Sequence, residues 1–516
     1  MIHSSSDPIP STVALPTRPL VWLATGLVAL PWFWPIIAGP LSAMLPDLAA
    51  WTAGALLIGL WHGVRDRFEE IVAWGLLIAA LGSAVLGLLQ YFDLENSIGI
   101  LVVLTKPGEV TANIQQTNLL ATLLSVGQLC IWYLIQKKRL SGRHATWMIV
   151  LLVVTLAATA SRTGMVHLIL ISAVVLYWKP GRKGRVLATL CGIAALYLAA
   201  TQVLPWLFEL FWGSSLDRNL LARLGADYAC ASRKVLWANV AHLISLKPWT
   251  GWGVGELLFA HYITPYEGER FCIKLSNAHN LLIHLAFVWG IPLAAFACSM
   301  AIWGLWKLKP WKAESVQERF GWAILLLIGF HSLVEFPLWF GLFQVLGVLA
   351  IILVVAGRRA SHPPAANEAA WSGVRPRTLA GISITFIAVL VFIAADYFKV
   401  SQLYLPIQWR PVWYREDTLN RVRDTVLFKS HVLIAQVVTT PVTSANAPLM
   451  LTASLEALHI APDSRIIRKV ISAARATGRQ DLVRIHTERY NASWPELYRE
   501  WLREESSADG AVLRNG

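Results

Sequence analysis

Charged residues are scarce in this sequence of 516 residues. Only 15% of them are Asp, Glu, Lys or Arg, whereas 56% are hydrophobic, and the mean hydropathy is +0.54. A soluble domain of this length would need far more polar surface to cover its core. The composition therefore excludes one large soluble core and predicts a polytopic membrane protein.

Cysteine is also scarce, since the chain contains only five. This number excludes a disulfide-stapled scaffold. Cys230 and Cys272 fall in one long polar segment, where they either pair or remain free thiols, and their spacing does not decide between these alternatives. Cys130, Cys191 and Cys298 lie inside apolar runs, and we expect them to be packing residues.

Long apolar runs, in contrast, are abundant. Stretches long enough to cross a bilayer, roughly 20 residues each, recur from Leu20 to Phe398, and we count about eleven. Continuous runs such as Met165 to Trp178 favour helices, because barrel strands alternate over only about ten residues. The first run lacks a small-x-small cleavage site, so we interpret it as an uncleaved span. The predicted fold is an all-α bundle of transmembrane helices.

The net charge is +13, and the cations cluster in short loops between the apolar runs. Cytoplasmic loops are enriched in Lys and Arg, so the even-numbered spans are predicted to end in the cytoplasm, with the amino terminus inside. Segments 113–118, 161–164, 208–278 and 331–339 and the carboxyl-terminal region then face outward. We interpret the charge as a topology signal and expect no nucleic-acid partner. The cations concerned are Arg65, Arg67, Lys137, Lys138, Arg139, Arg143, Lys179, Arg182, Lys183, Arg185, Lys307, Lys309, Lys312, Arg358 and Arg359.

Changes in composition divide the chain into two predicted domains. Residues 1–398 form a transmembrane domain, with a large outer loop at 208–278 and a Pro/Ala-rich cytoplasmic linker at 361–376. Residues 399–516 carry charges of both signs and amphipathic patterns, which predict a small helical outer domain. We expect its last residues, from Ser506, to be disordered.

A histidine at a membrane boundary is the strongest candidate for a functional residue. His279 lies in the run Ser-Asn-Ala-His-Asn, at the start of an apolar stretch that reaches Gly290. Hydrocarbon offers no hydrogen-bond partner, so ionisable groups at such positions usually serve a substrate or ion path. The alternative is an interfacial histidine that only caps the span. Its neighbour Asn280 is a further candidate contact.

Two arginines are candidates because they stand at the predicted outer face, against the usual distribution of cations. Arg162 lies in a short break between two spans, and Arg233, followed by Lys234, opens a helical pattern in the large loop. A guanidinium offers a planar pair of donors that matches phosphate oxygens. The alternatives are an arginine that reaches lipid phosphate and a solvated helix face. Less specific outer cations are Arg218, Arg223 and Arg270.

Other polar residues gather at the same predicted face. His331 and Glu335 are four residues apart and would share a helical face if the helix continued to Pro337. They form a structural pair or contact substrate, and too few other ligands are nearby to predict a metal site. Amides, which suit sugar hydroxyls and helix ends alike, stand at the outer end of the fourth span. These are Asn113, Gln115, Gln116 and Asn118.

These motifs resemble those of the O-antigen ligase and polymerase superfamily, polytopic enzymes that use sugars linked to undecaprenyl diphosphate. His279-Asn280, followed after nine residues by Gly290, is similar to the superfamily's His-[Asn/Ser/Gln]-x9-Gly motif. The segments that carry Arg162 and Arg233 are similar to the superfamily's arginine-bearing segments.

Within the superfamily, the sequence looks most like the pilin-glycosylating, PglL-type O-oligosaccharyltransferases. The similarity lies in the run Asn277 to His284, the run His331 to Pro337 and the carboxyl-terminal helical domain. The segment Pro248 to Gly253 also follows the superfamily's pattern. Trp289 departs from relatives that often carry an acidic residue in this region.

The resemblance implies transfer of a preassembled glycan from undecaprenyl diphosphate to a Ser or Thr hydroxyl of an exported protein such as pilin. The site would face the periplasm from the bacterial inner membrane and need no nucleotide sugar, cofactor or metal. His279 would accept a proton, and Arg162 and Arg233 would stabilise the departing diphosphate, with inversion of the anomeric centre. The implied substrate contacts are Asn280, Gln115, Gln116, Asn118, Lys234, His331 and Glu335.

Three alternatives remain open. An O-antigen ligase would use the same donor with lipid A-core as the acceptor, and a polymerase would use another glycan unit. A transporter would move the lipid-linked glycan without breaking a bond. Such folds often have an internal repeat and charges at mid-membrane, neither of which is convincing in this sequence.

Overall fold

Most of the residues that the structure, a computed structural model, describes are helical. These residues contain no strand, which confirms the predicted all-α membrane fold. The predicted cations Lys179, Arg182, Arg218 and Arg223 and most of the linker 361–376 lie outside them. The described ranges are 19–37, 39–178, 183–213, 229–361 and 375–512, with side chains to residue 505.

The helices follow one another with mostly short connections. Before the large loop they are α1 Pro19–Ala29, α2 Met44–Val64, α3 Phe68–Tyr91, α4 Thr117–Gln136, α5 Gly142–Ala158, α6 Arg162–Tyr177 and α7 Lys183–Trp212. The loop contains α8 Arg233–Leu246 and α9 Leu257–Ile263. The helices after the loop are α10 Leu281–Trp289, α11 Ile291–Leu308, α12 Val316–Ser332, α13 Gly341–Ser361 and α14 Pro376–Ser401.

The carboxyl-terminal region is a series of shorter helices. Its last helix continues to Val512, past Ser506, where we expected disorder to begin. The helices are α15 Val412–Arg415, α16 Thr418–Arg421, α17 Lys429–Thr439, α18 Ala447–Ile460, α19 Ser464–Ala476, α20 Gln480–Ser493 and α21 Pro495–Val512.

Within the described residues, six helical stretches are long and apolar enough to cross a membrane. The first combines α2 and α3, and α5 and α6 are apolar but shorter. The chain is therefore a multi-pass membrane protein, while the count of about eleven spans and their orientation stay predictions. The six stretches are Met44–Tyr91, Thr117–Gln136, Lys183–Trp212, Ile291–Lys312, Gly341–Ser361 and Pro376–Tyr404.

Burial separates a central helix from peripheral ones. In α4, 89% of the apolar window is buried, whereas the share is 11% in α7 and 6% in the stretch that contains α11. The peripheral helices expose large side chains such as Leu198, Trp206 and Ile302. Water would penalise this exposure by roughly 25 cal/mol per Å², whereas hydrocarbon does not. These surfaces therefore suit contact with lipid.

The chain forms two compact units. The first unit comprises Met1–Ile37, Ser42–Ala226 and Leu305–Ala394, and the second comprises Ala38–Leu41, Asp227–Gly304 and Ala395–Gly516. The first unit is held together by close helix packing. At Gly127 of α4, a Cβ would lie 2.5 Å from the Cβ of Ala80 on α3 and 3.1 Å from Leu152 on α5.

In the second unit, the large loop and the carboxyl-terminal helices share one hydrophobic core. Ile466, Ile467 and Val470 are fully buried on α19, as their spacing on one helix face predicts. Tyr262 of α9 is buried in the same core, and its hydroxyl lies 3.0 Å from Nδ1 of His486 on α20. The loop and the carboxyl-terminal helices therefore depend on each other for burial of their apolar side chains.

A disulfide joins Cys230 to Cys272, which decides between the two alternatives that their spacing leaves open. The bond joins residues 42 positions apart and encloses α8 and α9. Cys130 is buried in α4, as expected of a packing residue, and Cys298 is partly buried. Cys191 is exposed on α7, so the expectation of packing is wrong there.

Asp396 fastens the end of α14 to the segment before α17. Its buried carboxylate accepts hydrogen bonds from the hydroxyl of Thr425 at 2.9 Å and from the amides of Val426 at 3.0 Å and Leu427 at 2.7 Å. Hydrogen bonds to an ionised group are roughly twice as strong as neutral ones. The carboxyl-terminal helices therefore begin from an anchored position.

We predict that Asp396→Ala lowers the stability of the second unit by about 3 kcal/mol, because a hydroxyl and two amides lose their acceptor. The measurement is the apparent Tm of the purified protein in detergent. Asp424→Ala is the matched control, since the Asp424 side chain is 70% exposed and pairs with Lys399 at 2.8 Å. Such a surface pair contributes about 0–1 kcal/mol. Equal Tm values for the two variants would contradict the anchoring role.

Candidate active site

The predicted site residues fall into two groups, one in each unit. Within each unit, hydrogen bonds and helix packing bring members of the group together. The first unit contains Arg162, Gln115, Gln116, Asn118, His331 and Glu335, and the second contains Arg233, Lys234, His279 and Asn280.

A chain of hydrogen bonds links three helices of the first unit. The hydroxyl of Ser161 donates to Oδ1 of Asn118 at 2.7 Å, and Nδ2 of Asn118 donates to Oε1 of Glu335 at 3.3 Å. Ser161 and Glu335 are buried, where polar groups must bond to one another. This chain connects α4, the start of α6 and the turn after α12, so the predicted amide and carboxylate contacts form one cluster.

His331 joins the same cluster through a different partner. The helix α12 ends at Ser332 and does not continue to Pro337, although the amide of Glu335 still donates to the carbonyl of His331 at 2.8 Å. Nδ1 of His331 lies 2.8 Å from the hydroxyl of Thr122, which donates its proton to the carbonyl of Asn118 at 3.0 Å. Thr122 therefore connects the imidazole of His331 to the backbone of Asn118.

Three residues of this cluster were not predicted. Ser161 belongs to no motif of its own, although it caps α6 and bonds to α4. Thr122 lies inside an apolar run, and a single hydroxyl in such a run does not indicate a functional residue. His167 likewise lies in the apolar sequence of α6, outside any motif. Its ring centre lies 5.9 Å from that of His331.

Arg162 and Arg233 occupy equivalent positions, each being the first residue of a helix whose N-cap is a serine. The hydroxyl oxygens of Ser161 and Ser232 accept hydrogen bonds from the amide two residues beyond the arginine, at 3.1 Å and 3.2 Å respectively. Both arginines are exposed. A helix N-terminus carries about half a positive charge and favours anions. Each guanidinium therefore adds positive charge at a position that already attracts them.

Gln115 and Gln116 lie just before α4, close to the start of α6. Gln115 has a left-handed backbone with a φ of 64°, and Gln116 is the N-cap residue of α4. Because Asn118 bonds to the residue before Arg162, the two glutamines and this arginine belong to one region of the first unit. Asn113 instead is structural, because its Nδ2 donates to two backbone carbonyls at 2.9 Å each.

In the second unit, His279 has a left-handed backbone, with a φ of 49°. Its amide donates to Oδ1 of Asn277 at 2.8 Å. The side-chain oxygen of Asn280 caps α10 by accepting from the amides of Leu282 at 3.0 Å and Ile283 at 3.1 Å. Few residues other than glycine adopt left-handed backbones, but histidine and asparagine are enriched among them. Asn277 and Asn280 therefore fix the backbone on both sides of His279.

Helix α8 supports the same loop. Nε1 of Trp237 donates to the carbonyl of Ala278 at 3.1 Å, and the amide of Ala278 donates to Nδ1 of His284 at 3.4 Å. Ala278, the residue before His279, is fully buried. Arg233 and Trp237 are four residues apart and share one face of α8. Arg233 therefore lies on the face of α8 that supports the His279 loop.

The glycine that ends the motif permits a close contact between two segments. Gly290 has a φ of 80°, and a Cβ there would collide with the carbonyl of Trp249. A Cβ at Gly251, whose φ is 68°, would lie 2.5 Å from a carbonyl oxygen at the end of α10. The amide of Ile291 donates to the carbonyl of Pro248 at 2.7 Å across the contact. The two motif segments, one ending at Gly290 and one around Gly251, thus form one structural feature.

The charge that these site residues offer to a ligand is largely positive. Lys234 is exposed beside Arg233. No group of three or more His, Cys, Asp or Glu residues in the described ranges is arranged to hold a metal ion. In the second unit, the guanidinium of Arg233, the N-terminus of its helix and the imidazole of His279 are groups able to bind a diphosphate and to accept a proton from a hydroxyl.

Comparison with known families confirms the predicted resemblance to O-oligosaccharyltransferases of the O-antigen ligase superfamily. Residues 147–298 match the family model described as O-Antigen ligase, a range that includes Arg162, Arg233, His279 and Gly290. Residues 319–508 match the model described as virulence factor membrane-bound polymerase, C-terminal. His331 lies in this second range.

Two curated proteins of Acinetobacter baylyi are similar to this chain. A general O-oligosaccharyltransferase is 23% identical over 63% of this chain and 60% of its own length. A ComP-specific O-oligosaccharyltransferase is 22% identical over 54% of this chain and 50% of its own length. The matches thus span less than two thirds of either relative. No solved structure matches the chain.

We predict that Gly290→Ala lowers the stability of the second unit by at least about 2 kcal/mol, because the added Cβ collides with a carbonyl and the backbone is left-handed. The apparent Tm in detergent measures the change. Gly304→Ala is the matched control, since a Cβ there meets nothing within 4 Å. A Tm for Gly290→Ala equal to that of Gly304→Ala would show that the close contact is unimportant.

Proposed function

We propose that this protein is an O-oligosaccharyltransferase that transfers a preassembled glycan from undecaprenyl diphosphate to a Ser or Thr hydroxyl of an exported protein such as pilin. The observation that carries the proposal is that His279, Arg162 and Arg233 all lie in the region that matches the O-antigen ligase model, in a chain similar to two O-oligosaccharyltransferases. We assign the reaction to the periplasmic face of the bacterial inner membrane, because the charge pattern assigns these segments to the outer face.

In the proposed reaction, His279 is the general base. The acceptor hydroxyl oxygen attacks the anomeric carbon of the donor sugar, and its proton passes to the imidazole. The bond between the anomeric carbon and the diphosphate oxygen breaks, and its electron pair leaves with undecaprenyl diphosphate. The protonated imidazole of His279 then releases this proton to water. The hydrogen bonds of Asn277 and Asn280 support this role, because they hold the loop in one conformation before substrate binds.

The two arginines balance the charge of the departing diphosphate. Each guanidinium stands at the N-terminus of a helix, where charge on the diphosphate is stabilised by both the side chain and the helix dipole. A well-placed donor of this kind contributes ~3 kcal/mol to stabilisation of the transition state. The proposal assigns each arginine a stabilising role toward the departing diphosphate, and it needs neither a metal ion nor a cofactor.

The remaining polar residues are proposed to hold the substrates. Gln115 and Gln116 belong to the region of Arg162 and offer amides to sugar hydroxyls or diphosphate oxygens. Lys234 adds a cation beside Arg233. The other proposed contacts are Asn118, Asn280, His331 and Glu335.

We predict that His279→Asn lowers transfer by about 10²–10⁴-fold, the usual effect of removing a general base. Asparagine tolerates the left-handed backbone at this position, so the variant should fold. The assay measures glycosylated pilin formed by purified protein from undecaprenyl-diphosphate glycan, with and without a chelator. His459→Asn is the matched control, because the His459 side chain is 55% exposed and pairs with Glu256.

Transfer by the wild type and by His459→Asn, but not by His279→Asn, and without effect of the chelator, supports the proposal. Full activity of folded His279→Asn would exclude this residue as the base. Loss of transfer on adding the chelator would show that the reaction needs a metal ion.

A second candidate function is glycan polymerisation, which the match of residues 319–508 to a membrane-bound polymerase model favours. A polymerase would use a second glycan unit as the acceptor, and an O-antigen ligase would use lipid A-core. Adding both acceptors to the assay separates these functions. If pilin remains unmodified while another acceptor is extended, the acceptor assignment is wrong and the donor site stands. If folded protein consumes no donor, a transporter becomes the better interpretation.

We predict that the new glycosidic linkage has the opposite anomeric configuration to the donor. In a single displacement, the hydroxyl activated by His279 attacks the face of the sugar opposite the diphosphate. The anomeric proton couplings in NMR spectra of the donor and of the glycopeptide report the two configurations. Retention would instead indicate two successive displacements and contradict the single-step scheme.

A further inference from the structure

A groove of about 490 Å³ runs along α8 in the second unit. This volume falls within the range of roughly 300–1,000 Å³ that is typical of small-ligand sites. One wall comes from α8, where Lys234, Ala238 and His242 recur every four residues and so share one helix face. The opposite wall is the loop from Tyr266 to Glu269. The proposed proton transfer by His279 does not use this groove.

The two walls are fastened to each other. Nδ2 of Asn239 donates to the carbonyl of Glu269 at 3.0 Å, and its Oδ1 accepts from the amide of Phe271 at 2.8 Å. Asn239 is buried, and its bond to the amide of Phe271 is shielded from water. The disulfide between Cys230 and Cys272 ties the same loop to the segment just before α8. The groove is therefore preformed, which reduces the entropy lost when a ligand binds.

An aromatic side chain is fixed in the loop wall. The carbonyl of Phe271 accepts from Nε2 of His261 at 3.1 Å, and Nδ1 of His261 lies 2.8 Å from the Tyr266 hydroxyl. Burial lowers the pKa of His261 to about 3, so its ring is neutral and Nδ1 accepts the proton of Tyr266. The guanidinium of Arg270 lies 5.3 Å from the centre of the Tyr266 ring. Tyr266 thus presents a held aromatic ring to the groove.

The polar groups of the groove carry both signs of charge. Lys234, Glu267 and Glu269 are exposed, and the His242 ring centre lies 5.5 Å from that of Tyr266. Apolar side chains in the lining are small, Val235 and Ala238 being the aliphatic ones. A lipid tail or an apolar peptide would find little to bury here. Hydroxyl groups, in contrast, both donate to carboxylates and accept from an ammonium, and sugar rings pack on aromatic side chains.

We propose that this groove binds the sugar chain of the donor, beyond the sugar whose anomeric carbon is attacked. The groove reaches the N-terminal end of α8, where Ser232 and Lys234, the two neighbours of Arg233 in the sequence, belong to its lining. Arg233 is the residue assigned to the diphosphate. The proposal rests on the proposed function. It adds a recognition site for an uncharged or weakly charged oligosaccharide to a reaction centre that contacts only the diphosphate and one sugar.

The test measures binding of the free glycan, which is released from the lipid-linked donor by mild acid, to the full-length protein in detergent. Saturation-transfer NMR gives the affinity without any transfer reaction. Replacing both carboxylates, Glu267→Gln with Glu269→Gln, should weaken binding by about tenfold, because charged acceptors of hydroxyl protons are lost. Tyr266→Ala should weaken it comparably. The matched control is Glu496→Gln with Glu500→Gln, two exposed carboxylates of α21 outside the groove.

The donor KM provides an independent readout, since the groove variants should raise KM with little change in kcat. Weaker glycan binding in both groove variants, with the control unchanged, supports the proposal even if pilin is not the acceptor. Active wild type that binds no free glycan, or groove variants that bind it normally, would overturn the proposal and leave the proposed function intact. Groove variants that lose affinity for the acceptor protein but keep glycan binding would also overturn it, because the groove would then hold the acceptor.

Discussion

Exclusion of water is the constraint on which the transmembrane part of this protein depends. Polar groups there find partners only within the chain, because hydrocarbon supplies none. The bonds from Ser161 through Asn118 to Glu335, and from His331 to Thr122, are partners of this kind. They also tie α4, α6 and α12 together at the ends where the candidate contacts lie. The same side chains therefore supply hydrogen-bond partners inside the membrane and position the candidate functional groups.

The candidate site uses one local device twice. A serine caps a helix, an arginine follows it, and the helix dipole and the guanidinium then act on the same space, once at Arg162 and once at Arg233. Short polar side chains act in a similar way around His279. Asn277 fixes the left-handed backbone there, and Asn280 begins the next helix. Short polar side chains at helix ends thus fix the backbone from which the long side chains extend.

The fold class was predictable because hydropathy and helical periodicity are local properties of the sequence. The motif at His279 was also recognisable, but its geometry was not. The need for Gly290 arises from contact with Trp249, a residue brought near only by the fold. The helix expected to reach Pro337 ends at Ser332, and His331 and Glu335 find their side-chain partners, Thr122 and Asn118, on α4. Long-range partners such as these leave no mark on a short stretch of sequence.

The core shared by the loop and the carboxyl-terminal helices restricts how this protein tolerates recombination. Tyr262 of the loop is buried against α18 to α20, and its hydroxyl meets His486. A chimera that exchanges only the carboxyl-terminal helices with a relative would pair this tyrosine with a foreign surface and leave polar atoms unsatisfied. Exchange of α9 together with those helices keeps the interface intact. Although the last transmembrane helices separate the two segments in the sequence, these segments must therefore be exchanged together.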